Sequence, residues 1–105
     1  MRKCIRTSAI VALALSMAGA TTFAQSSGDA IYKAKCQMCH GATGTPNPGM
    51  AKMMGIKAVS DPAVKKMTLA QVEATVKNGK NKMRPISGLS DAQVKAVAEY
   101  FKSLK

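Results

Sequence analysis

Cys36-Gln37-Met38-Cys39-His40 is the one stretch of this chain whose residue types and spacing could do chemistry. The cysteines stand three apart, and His40 is the only histidine. Three chemistries use such residues. A thioredoxin-like thiol pair needs a strand-helix-strand setting, and the chain shows no convincing alternating strand. A structural zinc site needs four protein ligands and a catalytic one usually three, but no second pair exists to close the site. The third chemistry is attachment of a c-type haem, which is what C-x-x-C-H signals. Positions 36, 39 and 40 fall at i, i+3 and i+4, so one helical turn presents all three on one face. Both sulfurs can then form thioethers with the two vinyl groups of the ring, and the imidazole faces the iron. Haem would also supply a core that the residues themselves lack.

That lack is visible in the rest of the chain. Of 105 residues, the first 24 have the form of a secretory signal: Arg2, Lys3 and Arg6, an apolar stretch from Ile10 to Ala20, and small residues around Ala24. Cleavage is expected before Gln25, and the apolar stretch is short of the roughly 20 residues of a spanning helix. Cys4 precedes that stretch and is removed with it, so no role is expected for it. The product, residues 25 to 105, is a single domain with a net charge of +8, 13 basic residues against 5 acidic. Its only aromatic residues are Tyr32, Tyr100 and Phe101. A chain of this size buries only about 60% of its surface and usually needs a staple. Export suits the motif, because the thiols are then consumed outside the cytoplasm.

The elements that must position the motif are helical, three to five short helices with two exposed loops. Ser27-Gly28 opens a helix that runs through Ile31 and Tyr32 to the Cys36-His40 region, with Asp29 favourable in its first turn. Residues 41 to 49, GATGTPNPG, read as loop. Met50 to Gly55 reads as a single helical turn, and Ser60-Asp61-Pro62 as a cap with proline at a first helical position. Thr68 with Gln71 forms a capping box, with Met67 and Val72 as hydrophobic staple, and Asn78-Gly79 stops that helix. Ser90 with Gln93 repeats the box, with Leu89 and Val94 as staple. Val94, Val97, Ala98, Phe101 and Leu104 then make an apolar stripe. Between these two helices lies an irregular basic segment, KNKMRPISG, residues 80 to 88.

GDAIYKAKCQMCHG resembles the opening of class I cytochromes c, in the spacing of Gly28, Tyr32, Cys36, Cys39 and His40. NGKNKMRPISGLSDAQVKAVAEYFKSL resembles their closing part, in which a methionine loop precedes a last helix that crosses the first. The resemblance covers essentially all of residues 25 to 105. It implies an all-α fold wrapped around one covalently attached haem c, with Cys36 and Cys39 as thioethers and His40 as proximal iron ligand. With one histidine, the second axial position is left to a methionine, a lysine or nothing. Met83 stands apolar among Lys80, Asn81, Lys82 and Arg84, with no helical stripe to serve, and the resemblance also points to it as distal ligand. The family commonly has proline directly after this methionine, whereas here Arg84 precedes Pro85. Met67 fits core packing, Met38 points away from the ring, and Met50, Met53 and Met54 pack against its edge.

The resemblance further implies that the His40 ring donates to a backbone carbonyl, that of Pro48 or alternatively Pro46. Tyr32 and Tyr100 pack where first and last helices cross, with a haem propionate as the other candidate partner. Lys33 and Lys35, and Lys80, Lys82 and Arg84, flank the expected haem edge. They would steer an acidic redox partner, with Lys35, Lys80, Lys82 and Arg84 as the docking set. Lys65, Lys66, Lys95, Lys102 and Lys105 read as a solvated basic surface. Nucleic acid is not an expected partner for an exported chain with almost no aromatic interleaving. The expected activity is one-electron transfer by a periplasmic carrier rather than catalysis, since His/Met ligation fills both axial positions. A subunit of a larger dehydrogenase or oxidase complex, or a ligand-sensing haem protein, are the alternatives.

Overall fold

The computed structural model describes residues 27–105, so the expected signal segment, its cleavage point and Cys4 lie outside the described residues. Six helices follow in order: α1 (Gly28–Lys35), α2 (Gln37–His40), α3 (Pro48–Met54), α4 (Pro62–Lys65), α5 (Leu69–Asn78) and α6 (Asp91–Ser103). No strand occurs among the described residues; Lys80 and Met83 form one isolated bridge. The all-α class is as expected; six helices exceed the expected three to five by one, and two local features depart from the sequence expectation.

The first is a break at Cys36. The run from Gly28 to His40 does not stay one helix: Cys36 departs to φ −118° and ends α1 while starting α2. Its carbonyl accepts from both Cys39 (3.2 Å) and His40 (3.0 Å), a shared bond common at helix ends. The second is the proline segment. α3 begins at Pro48, inside the stretch expected to be loop, because Asn47 caps it through Gly49 N–H (2.8 Å) and proline suits a first helical position. The same residue types signal turns, which is why the sequence reads as loop there.

The two long helices follow their caps. Thr68/Gln71 and Ser90/Gln93 form both bonds of a capping box, and Gly79 ends α5. α1 lies across α6 so closely that a Cβ on Gly28 would run into the carbonyl oxygen of Ala96. Ile31 and Tyr32 of α1, Val76 of α5, and Val94 and Val97 of α6 form the buried core, with Tyr100, Phe101 and Leu104 packed at its side. The apolar period of α6 therefore faces both α1 and α5. Lys77 of α5 pairs with Asp91 at the start of α6 (2.8 Å). The pair is solvent-exposed, so it adds little to the packing behind it.

Candidate functional site

The haem-type motif sits where the core stops. Cys36, Cys39 and His40 are all half-buried, and both cysteines are free thiols. Burial holds the Cys36 thiol above its ordinary pKa and pulls that of His40 down. The imidazole is therefore neutral at pH 7, the form that can ligate a metal. Its ring meets Phe101 edge-on, with centroids 5.7 Å apart. Tyr32 adds a tie that the sequence reading missed: its hydroxyl donates to the carbonyl of Gly41 at 2.6 Å, pinning the residue after His40 to the core. Tyr32 is 1% exposed and its ring lies 5.3 Å from that of Tyr100, so both tyrosines pack at the helix crossing. Burial pushes the Tyr32 phenol up to about 12.

These residues open onto a cavity of about 400 Å³. Cys36, Cys39 and His40 line it together with Val72 and Val76 of α5, Val97 and Phe101 of α6, Ile56, Ile86 and Met83. The cavity thus brings together residues 43 positions apart in the chain, His40 and Met83. Met54 and Met67 line it too, so Met67 does more than staple α5. Met53 is 61% exposed and Met50 is not in the wall; of the three methionines expected at the haem edge, only Met54 is in it. Met38 is 89% exposed and turned away, as expected.

Met83 is held by a tight turn. Lys80 and Met83 exchange both backbone bonds (3.0 and 2.9 Å), and Asn81 between them takes a positive φ of 53°. Gly79 precedes it at φ 74°, ψ 174°, a region essentially reserved for glycine. A Cβ there would lie 2.5 Å from the Met83 carbonyl oxygen and 2.9 Å from Pro85. The segment expected to be irregular is therefore partly ordered, and Gly79 is a site residue visible in sequence only as a helix stop.

Lys35, Lys80, Lys82 and Arg84 all line the cavity, joined by Lys57, which charge spacing did not single out. None of the five acidic residues does. Lys82 differs from the others: its ammonium donates to the carbonyl of Met53 at 2.9 Å. Lys102, read as solvated surface, likewise donates to the carbonyl of Met67. The expected bond from His40 to the Pro48 carbonyl is not formed. Nδ1 is buried without a hydrogen-bond partner, Pro48 is exposed at the start of α3, and Pro46 is the buried proline.

The residues fit a haem. Apolar walls, a neutral histidine with a buried unpaired nitrogen, two free thiols and a thioether in the same wall suit a large flat apolar ring with iron at its centre. Among the described residues no group of three or more His, Cys, Asp and Glu side chains could hold a metal ion without such a ring.

Comparison with known proteins agrees. The family model described as cytochrome c oxidase, cbb3-type, subunit III matches residues 23–101. The chain belongs to this cytochrome c family. Its cofactor is haem c, covalently held, and its activity is haem-based electron transfer. Among solved structures it is similar to the Kustc0563 c-type cytochrome, with a TM-score of 0.67 and 23% identity over 76% of this chain and 99% of that one. A point mutant of that cytochrome matches with a TM-score of 0.66 and 22% identity, over 76% of this chain and all of the other. These likenesses concern the fold. No curated protein matches. This cytochrome has no helix long and apolar enough to cross a membrane among its described residues.

Proposed function

We propose that this cytochrome is a one-electron carrier in which Cys36 and Cys39 hold the haem as thioethers and His40 and Met83 take the two axial positions. The observation that carries the reading is the shared cavity, which has the C-x-x-C-H residues and Met83 in its wall. When bound, the haem supplies an iron that changes by one electron. The chain's own part is to exclude water with Val72, Val76, Val97 and Phe101, and to fill both ligand positions. Mixed His/Met ligation raises the reduction potential and leaves substrates no open iron site, so the protein carries electrons rather than catalysing a reaction. The Pro46 carbonyl, on the buried proline, is the better acceptor for His40 Nδ1 once the ring settles.

Export by residues 1 to 24 would place residues 25 to 105 in the periplasm. There the rim formed by Lys35, Lys57, Lys80, Lys82 and Arg84 steers an acidic redox protein to the haem edge. A second reading, a subunit of an oxidase complex, draws on the description of the matching family model. Expression with export and haem attachment tests the proposal. The haem should stay with the chain on a denaturing gel and after acid-solvent extraction, and its spectrum should titrate reversibly as a one-electron couple. Cys36→Ala with Cys39→Ala should release it. Haem that extracts from the wild-type chain contradicts the reading, and purification only as part of a larger enzyme favours the subunit.

A further inference from the structure

Lys82 stands apart among the basic residues at the cavity. Its Nζ reaches the Met53 carbonyl at 2.9 Å, joining segments 29 residues apart. Met53 lies in the last turn of α3, where carbonyls have no helical N–H to accept. The N–H groups just past that end, of Gly55 and Ile56, both go to Ala51 and leave Met53 unserved. A cation suits that position, at the negative end of the helix. On the other side, Lys82 belongs to the turn that carries Met83, closed at its base by the Lys80–Met83 pair and tied to α5 through Ile86 N–H to Val76 (2.9 Å). Toward α3, the hydrogen bond from Lys82 is the turn's only one among the described residues. Met54, next to the accepting carbonyl, lies in the cavity wall.

We propose that Lys82 is a positioning residue: its bond to Met53 straps the Met83 turn to α3 across the cavity mouth and keeps the Met83 sulfur on the iron. This rests on the reading of Met83 as axial ligand. It gives Lys82 a role separate from partner docking, because the strap acts in the isolated protein. Because the bond is solvent-exposed, its loss should let the turn open about five-fold more often, the effect of an ordinary hydrogen bond.

Imidazole binding to the oxidised holoprotein tests it, followed as loss of the long-wavelength band of the sulfur–iron bond. Opening of the turn should limit the rate at saturating imidazole. Lys82→Gln, uncharged and one bond shorter, should raise that rate about five-fold, and Lys82→Arg should restore it by keeping a cationic donor long enough to reach the Met53 carbonyl. Lys52→Gln, which removes an equal charge from the last turn of the same helix, should leave it at the wild-type value. Equal rates in Lys82→Gln and Lys52→Gln, or no rescue by arginine, overturn the strap. Met83→Ala run alongside separates the two claims. If it keeps the wild-type band, the ligand reading fails. If it loses the band while Lys82→Gln binds imidazole at the wild-type rate, only the strap fails.

Discussion

Where α1 crosses α6, nearly everything is held by packing. Ile31, Tyr32, Val94, Val97 and Ala98 are each no more than 3% exposed, and Gly28 touches the Ala96 backbone. On the Met83 side of the cavity almost nothing is. Met54, Met67, Met83 and Ile86 are half-buried, and the turn stands on three backbone bonds, a glycine and a lysine. The difference separates two jobs. The α1–α6 crossing fixes the end of the cavity that carries His40 through bulk burial, which fails only when a change forces the two helices apart. The Met83 end is set by a few directional contacts, so single residues there can move Met83 without unfolding the protein.

The largest effect should come from filling the crossing. Gly28→Ala drives a Cβ into a backbone carbonyl that cannot turn aside, and should cost about 3 kcal/mol. Thermal unfolding should show a loss of more than about 10 °C. A stable Gly28→Ala protein would mean that the crossing is looser than described. Gly79→Ala should cost less, about 2 kcal/mol from its glycine-only backbone region. Its effect should fall unevenly: the band of the sulfur–iron bond should fade well before the helices melt. If band and helix signal vanish together, the two regions are one cooperative unit.

Tyr32→Phe is the mildest. It removes the bond to Gly41 and should cost about 1 kcal/mol. It also sharpens the comparison through pH. The folded Tyr32 phenol is raised to about 12 from an ordinary 10.0, so its contribution is complete below pH 10 and is lost as pH rises toward 12. Alkaline denaturation should show a component over that window in wild type that is missing in Tyr32→Phe.

How much of this was legible in the sequence follows the same divide. Capping boxes at Thr68 and Ser90 and the stripe from Val94 to Leu104 are local signals, and the helices start and pack where they say. The break at Cys36 has no breaker residue to announce it. Asn47-Pro48 reads equally as a turn and as a helix start, and only the bond from Gly49 decides. C-x-x-C-H marked one end of the cavity because its spacing is that of a single helical turn. Lys57 and Met67 join the cavity wall only through the fold, without any pattern of their own. Lys82 looked like its neighbours Lys80 and Arg84, since a side chain's partner 29 residues away leaves no trace in charge spacing.

The central claim is that Met83 faces His40 across the iron, and the optical spectrum of the oxidised Met83→Ala holoprotein tests it most directly. The account predicts loss of the long-wavelength sulfur–iron band, with carbon monoxide binding gained on reduction. A spectrum unchanged from wild type, with no carbon monoxide binding, would contradict it.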